Sequence, residues 1–217
     1  MTLTPLEHSR PDSTTDAFLR RLIARVPGSS GATWQLTEVY TGETLVELPQ
    51  STPDDIEQAF AVARAAQRKW AATPPHQRLA VFKRAHTIFV ENARTVADLI
   101  QVESGKNRRM AIEETCDPPM VMSHYLKRAT KLLAPVRRGG PVPLLTTSTE
   151  IRQPKGVVGI IAPWNFPFAT GISDAVPALM AGNAVVLKPA SAALASTIAV
   201  NIVTTPVSPT DSPSCRE

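Results

Sequence analysis

Residues 155–168 have the sequence Lys-Gly-Val-Val-Gly-Ile-Ile-Ala-Pro-Trp-Asn-Phe-Pro-Phe, and this stretch contains the strongest signals for the fold class. Val157 to Ile161 is a short, continuously apolar run, which predicts a strand buried on both faces of a parallel sheet. Pro163 and Pro167 fix φ and disfavour helix in the residues before them, so a stiff, exposed loop is expected at the strand's carboxyl end. Open α/β sheets bind their ligands at that end.

A helix and a second strand follow this loop. Residues 168–181 are small or apolar, and Gly182-Asn183 supplies the left-handed stop that is typical after a helix. Ala184 to Leu187 then predicts another buried strand, with Lys188 at its carboxyl end. The order strand, loop, helix, strand is a βαβ crossover. Its glycines do not form G-x-G-x-x-G, so the residues alone indicate only that a cofactor-sized site can form here.

At these residues the chain resembles a known family, the aldehyde dehydrogenases, and within it the succinate-semialdehyde dehydrogenases. The resemblance covers roughly residues 39–191. It is specific as a set, whereas each motif alone is weak. The motifs are Thr41-Gly42-Glu43, Ala65 to Trp70, Glu103-Ser104-Gly105-Lys106, Pro163 to Pro167, Gly182-Asn183-Ala184 and Lys188-Pro189-Ala190-Ser191.

The resemblance implies oxidation of an aldehyde, with succinate semialdehyde as the expected substrate, to its carboxylate with NADP+ or NAD+. Asn165 would donate its side-chain amide to the developing oxyanion. The alternative is that Asn165 only stabilises its loop through an Asx-turn. Lys188 with the neutral Ser191 favours NADP+, although Ser191 could instead be a helix N-cap. The residues implied in cofactor binding are Ile161, Ala162, Pro163, Trp164, Lys188 and Ser191.

The fold class implied is α/β, an incomplete Rossmann-like cofactor-binding domain of the aldehyde dehydrogenase fold with N-terminal helices and an oligomerisation-type β-ribbon. Five segments are expected along the chain. They are an arm with a short helix (1–32), a hairpin with the helical part of the cofactor-binding domain (33–135), the β-ribbon (136–154), the βαβ unit (155–203) and a disordered tail (204–217).

The resemblance stops after about Ser191, so we expect the N-terminal part of such an enzyme. The family's nucleophilic cysteine and general-base glutamate are expected beyond that point. Neither Cys116, in a helical region, nor Cys215, near the end, is assigned the nucleophile's role. The chain is therefore expected to be inactive alone. The alternative is a non-catalytic dinucleotide-binding or subunit-interaction module.

Composition excludes several other classes of protein. The chain has 217 residues, 43% hydrophobic and 19% charged, with a net charge of +4. The basic residues are interspersed with acids and lack a basic stripe with aromatics, so nucleic acid is not expected as a partner. No apolar run approaches the ~18 residues of a membrane span, and the two distant cysteines predict neither a disulfide framework nor a metal site. A reducing, cytoplasmic setting fits this cysteine usage. The resemblance implies a homo-oligomer.

Local signals predict the remaining elements. Residues 1–16 are expected to be a disordered arm, followed by a short helix and a hairpin about Thr41-Gly42. Thr52 with Pro53 starts one helix, and a second is predicted to run unbroken from Pro75 to Gly105. Asp117-Pro118-Pro119 predicts a break, because proline inside a helix costs ~3 kcal/mol. Asp117 is then expected to cap a new helix from Pro118 to about Leu133. Adjacent Glu113 and Glu114 do not face each other and are not expected to form an acid–base pair.

Overall fold

The computed structural model describes residues 11–142 and 145–190, and within them the chain forms six helices and six short strands. The helices are α1 (Asp16–Ile23), α2 (Pro53–Ala72), α3 (Pro75–Glu91), α4 (Ala93–Ser104), α5 (Arg108–Leu133) and α6 (Pro167–Met180). The strands are β1 (Thr33–Thr37), β2 (Thr44–Pro49), β3 (Val136–Gly139), β4 (Thr147–Glu150), β5 (Val157–Ile161) and β6 (Ala184–Lys188). The predictions for residues 1–10, Ser191, the helix after it and the tail lie outside the described residues.

The parallel pair β5–β6, joined by α6, confirms the predicted βαβ unit. Val157 pairs with Ala184 and Ile161 with Lys188, so the two strands run in register to the same edge. Helices α2 and α6 both pack on this pair. Its burial on both faces, however, was predicted wrongly. Ile160 is buried but Ile161 is 78% exposed, because the described part of the chain places no further strand beside the pair.

The hydrophobic core lies among the helices rather than at the strand pair. Phe82, Phe89 and Phe168 are almost completely buried, and the rings of Phe89 and Phe168 meet edge to face at 5.7 Å. Helix α5 packs against α3, α4 and α6 and so forms the centre of this layer. Phe82 and Phe89 lie seven residues apart, or about two turns of α3, so both rings face the core.

Helix α2 begins with the predicted N-cap, and its first turn contains a capping box. Thr52 Oγ1 accepts from the Asp55 backbone N–H at 3.1 Å, while Asp55 Oδ2 accepts from the Thr52 backbone N–H at 2.8 Å. The Ser29 backbone N–H also donates to Asp55, at 3.0 Å. These backbone donors of Ser29 and Thr52 stabilise the carboxylate and lower the pKa of Asp55 to about 2.

Two helix boundaries differ from the sequence prediction. The single helix expected from residue 75 to 104 is divided at Asn92, whose side-chain amide donates to the Ile88 carbonyl at 2.8 Å and so competes with the next helical turn. Conversely, α5 runs unbroken through Pro118 and Pro119. Both proline rings are buried, so packing against neighbouring helices offsets the lost backbone hydrogen bonds. Asp117 does not cap a new helix but accepts from Ser173 Oγ at 2.5 Å.

The disordered arm predicted through residue 16 is wrong for its described part. Thr14 is fully buried, and its hydroxyl donates to the Pro11 carbonyl at 2.8 Å. Ser13 Oγ donates to Asp98 in α4 at 2.5 Å. These polar contacts dock the segment against the helices, which a composition argument does not register.

The β3–β4 ribbon is an antiparallel hairpin. Both strands fall within the segment predicted as a β-ribbon, residues 136–154, and Val136 pairs with Glu150 and Gly139 with Thr147. Arg138 donates to Glu150 from Nε at 3.1 Å and from Nη2 at 2.9 Å. This hydrogen bonding, together with the positive charges of Arg138 and Arg152, lowers the pKa of Glu150.

Candidate active-site edge

The loop between β5 and α6 places Asn165 at the carboxyl end of the strand pair. Ala162 is buried, and its backbone N–H donates to the Lys188 carbonyl at 3.0 Å, which ties the start of the loop to β6. Pro167 is the first residue of α6. Asn165 is exposed between these two anchors. Across residues 11–142 and 145–190 its side chain forms no hydrogen bond, so no Asx-turn engages the amide.

The same edge carries Lys188 and two exposed apolar side chains. Ile161 and Lys188 are register partners, so the end of β6 lies directly beside the start of the loop. Lys188 is exposed, and its ammonium donates to the Pro189 carbonyl at 3.3 Å. Ile161 is 78% exposed and Trp164 is 65% exposed. The arrangement combines a positive charge with apolar surface, which suits a ligand that has both an anionic and a flat apolar part.

The structure thus brings together the predicted residues Ile161, Ala162, Pro163, Trp164, Asn165 and Lys188 along one edge. Of these, Ala162 is buried and contributes its backbone, whereas the other five are exposed. Ser191 lies outside the described residues, so its predicted contact with the cofactor stays a prediction.

A buried ion pair lies beside the start of α6. The Lys106 ammonium contacts Glu114 Oε2, and the two side chains are 12% and 0% exposed. Glu114 Oε1 accepts from the backbone N–H groups of Phe168 at 2.9 Å and Ala169 at 3.2 Å. The sequence did not predict the pairing of Lys106 with Glu114, because Glu114 was compared only with its neighbour Glu113. A buried partner for Lys106 has no local sequence signal, because it depends on the packing of α4, α5 and α6.

Side chains from α2 and α3 fix the other end of α6. Trp70 Nε1 donates to the Leu179 carbonyl at 2.7 Å, and Gln67 donates to the Gly182 carbonyl at 3.1 Å. Arg78, only 5% exposed, donates from Nε to the Met180 carbonyl at 3.1 Å. Burial lowers the pKa of Arg78, although an arginine stays protonated. Donors and a cation thus meet the carbonyl end of α6, where the helix dipole favours them.

The turn after α6 is closed by Gly182 and Asn183. Gly182 has φ +95°, which a side chain would disfavour, and so provides the predicted left-handed stop. Asn183 Oδ1 accepts from the Gly156 backbone N–H at 3.0 Å, and its Nδ2 donates to the Ala178 carbonyl at 2.9 Å. One buried amide therefore connects the end of α6 to the start of β5.

Cys116 does not lie at this edge. Cys116 is exposed on α5, and it follows Glu114 by two residues, or about 200° around the helix, so the thiol points away from the α6 terminus. Cys215 lies outside the described residues. The described residues contain no group of three or more potential metal ligands. In the same part of the chain, no helix is long and apolar enough to cross a membrane.

A cavity of about 340 Å³ lies elsewhere, between α3 and α5. It is lined by His86, Pro119, Met120, Ser123, His124, Lys127 and Arg128. The groove contains none of the residues predicted for the site. We therefore place the candidate site at the edge formed by the β5–α6 loop and the end of β6, which carries Asn165 and Lys188, rather than at this cavity.

Comparison with known proteins identifies relatives of this chain. The sequence profile of the aldehyde dehydrogenase family matches residues 26–206. A Mycolicibacterium smegmatis protein provisionally named succinate-semialdehyde dehydrogenase [NADP(+)] is 42% identical over 181 residues, which are 83% of this chain and 35% of that protein. A Mycobacterium tuberculosis H37Rv protein with a similar provisional name is 44% identical over 173 residues, 80% of this chain and 33% of that protein. The chain thus spans about a third of the length of these relatives.

Solved structures have the same fold. A Brucella melitensis aldehyde dehydrogenase matches with a TM-score of 0.77 at 26% identity, covering 82% of this chain and 37% of that one. An NAD-dependent benzaldehyde dehydrogenase from Corynebacterium glutamicum matches with a TM-score of 0.75 at 30% identity, covering 82% and 39%.

Proposed function

The chain belongs to the aldehyde dehydrogenase family, and we propose that it supplies the oxyanion donor and part of the cofactor edge for NADP+-dependent oxidation of succinate semialdehyde to its carboxylate. NAD+ is the alternative cofactor. The substrate follows from the provisional names of relatives of which this chain spans about a third. Substrate, cofactor and activity are therefore proposals for this chain. Cytoplasmic localisation stays a prediction.

One observation carries this proposal: the strand register. Because Ile161 pairs with Lys188, and Ala162 donates to the Lys188 carbonyl, the loop that bears Asn165 and the end of β6 share one edge. The reaction needs a hydrogen-bond donor for the developing oxyanion, and a cation on the same edge suits an anionic part of the cofactor. The parallel register supplies both from two strand ends.

Asn165 is suited to the oxyanion role because its amide is exposed and unengaged. When a nucleophile adds to the aldehyde carbon, the carbonyl oxygen gains negative charge, and the Asn165 Nδ2–H group would donate to it. A donor fixed in advance stabilises such a charge without reorganising, and loss of one donor of this kind costs about 2.7–4 kcal/mol in acyl-transfer enzymes. We assign no nucleophile or general base to this chain.

The residues at the edge fit a nicotinamide dinucleotide. Lys188 presents an exposed ammonium for a ribose or phosphate oxygen, while Ile161 and Trp164 present apolar surface for a flat ring. Bound there, the cofactor would supply the hydride acceptor. The neutral Ser191 hydroxyl would donate to a 2′-phosphate oxygen, whereas a carboxylate at that position would repel the phosphate.

Binding of NADP+ and NAD+ to the 217-residue chain tests the proposal by titration calorimetry. We expect NADP+ to bind more tightly, and Lys188→Met to weaken it about tenfold, the equivalent of one charge-assisted hydrogen bond. Ser191→Glu should weaken NADP+ far more than NAD+. Lys155→Met is the matched control, since Lys155 is an exposed lysine before the opposite end of β5. Equal loss from Lys155→Met and Lys188→Met, or equal effects of Ser191→Glu on both cofactors, would contradict the proposal.

A second candidate is the subunit-interaction module, which the β3–β4 ribbon favours. Every residue of β4 is exposed, and Leu145 and Ile151 beside it are 83% and 63% exposed. An isolated two-stranded ribbon with apolar residues at its ends gains stability from a partner's strand. We propose a second copy of the chain as that partner. Sedimentation should show a dimer that Leu145→Asp dissociates, whereas a concentration-independent monomer would contradict this candidate.

A further inference from the structure

The N-terminus of α6 is held by a residue that is remote in the sequence. Its N-cap position is Phe166, which has no side chain that can cap, and the cap comes instead from Glu114 on α5. Helices α1, α2 and α5 differ, because each is capped by its own preceding side chain, Thr15, Thr52 or Asn107. Asn165 immediately precedes the N-cap of α6, yet its amide takes no part in the capping.

The carboxylate of Glu114 is placed where a helix most favours a negative charge. It accepts from two of the orphan N–H groups of the first turn and lies at the positive end of the dipole. Its side chain is fully buried, so water does not compete for these bonds. A buried carboxylate needs a counter-charge, and Lys106 provides it on the other oxygen.

Lys106 has a second contact, and this one reaches the loop itself. Its ammonium lies 4.0 Å from the centroid of the Phe166 ring, within the range of a cation–π interaction. The Glu114 carboxylate therefore fixes the backbone of Phe168 and Ala169, while Lys106 contacts the side chain of Phe166, the residue after Asn165. Pro163 and the Ala162 hydrogen bond restrain the loop from the other side.

We infer that Lys106 and Glu114 are positioning residues for Asn165: the buried pair caps α6 from a distance, so that the Asn165 amide stays aimed outward and free to donate. This inference rests on the proposed oxyanion role of Asn165. Neither side chain touches the aldehyde; both act through the loop.

The inference is tested by measuring backbone mobility of the loop without any ligand, in the unmodified chain and in variants of Lys106 and Glu114. Backbone order parameters from ¹⁵N relaxation are measured on the 217-residue chain for residues 164–166 and for Phe82 in the core. In the unmodified chain we expect order parameters of about 0.85 at both places. In Lys106→Met and Glu114→Gln we expect the order parameters to fall below about 0.6 at residues 164–166 and to stay unchanged at Phe82. Lys106→Arg keeps the cation and should restore the order.

Glu113→Gln is the matched control. Glu113 neighbours Glu114 on the same helix but is exposed, and within the described residues it pairs only with Arg109, so the loop should stay ordered. If Glu114→Gln does not fold, the double variant Lys106→Met, Glu114→Gln removes both charges together and still has to show the loop-specific loss. Unchanged order at residues 164–166 in the folded variants, or an equal fall at Phe82, would overturn the inference.

This measurement uses neither aldehyde nor cofactor. A chain that fails to bind NADP+ but loses loop order in Lys106→Met would contradict the proposed function and leave the mechanical link between Lys106 and the loop established. The reverse pattern, tight NADP+ binding with an unaffected loop, would refute the positioning role alone.

Discussion

Replacement of Arg78 by methionine should strongly destabilise the chain, because its guanidinium joins the carbonyl ends of α2 and α6. Besides the Met180 carbonyl, it donates from Nη1 to the Thr73 carbonyl at 2.5 Å and to the Ala71 carbonyl at 3.3 Å. The side chain is 5% exposed, so water cannot replace the donors once they are lost. Methionine keeps an unbranched, flexible side chain but offers these carbonyls no N–H group.

The magnitude follows from the two strongest bonds, those to Thr73 and Met180. A hydrogen bond from a charged group contributes about 1.5–3 kcal/mol, so the free energy of unfolding should fall by about 3–6 kcal/mol. A domain has only about 5–15 kcal/mol of stability in total, so this loss is a large share. Arg78→Lys should lie between, since one ammonium cannot reproduce the planar fork of five donors.

Urea unfolding followed by circular dichroism measures this difference. Arg84→Met is the matched control, because Arg84 lies on the same helix but is exposed, and its replacement should change stability by no more than about 0.5 kcal/mol. If Arg78→Met were as stable as Arg84→Met, the guanidinium would not be what holds the two helix ends, and the reasoning from buried carbonyls would fail.

Three further outcomes are expected. Folding lowers the pKa of Asp55 from 3.8 to about 2, so the stabilisation by its carboxylate is present above pH 3.8 and is lost as the pH falls through about 2. The urea midpoints of the unmodified chain and Asp55→Asn should therefore converge over that pH range. A constant difference between the two midpoints would contradict this role of Asp55. No NADP+-dependent oxidation of succinate semialdehyde is expected from the 217-residue chain, since the Cys116 thiol points away from the loop; turnover that disappears in Cys116→Ser would refute this. Hydrogen exchange should be faster in β5 and β6 than in α3, because the strand pair is only half covered, and equal protection would show an unforeseen closure.

The βαβ unit was predictable because its signals are local. An apolar run, two prolines, a small-residue helix and a Gly-Asn stop each restrict the backbone within a few residues. The same holds for the Thr52 cap. From this unit the position of Asn165 at a strand end followed, and family resemblance supplied the chemistry proposed for it.

Features that depend on tertiary packing were not predictable. Pro118 and Pro119 indicate a helix break by their intrinsic cost, but their buried rings allow α5 to continue through them. Glu114 resembles any helical glutamate in the sequence, and only the approach of α6 and Lys106 gives it a role. The register of Ile161 with Lys188 likewise comes from the crossover geometry, since neither strand specifies its partner alone.

An NADP+ titration followed by ¹H–¹⁵N correlation spectra shows whether the Asn165 loop and the end of β6 form one cofactor edge. We expect the amide signals of Ala162, Trp164 and Lys188 to shift along one saturation curve with a single Kd, and Lys188→Met to raise that Kd for all three signals together. Shifts confined to the groove around His86 and His124, or separate curves for the loop and Lys188, would contradict it.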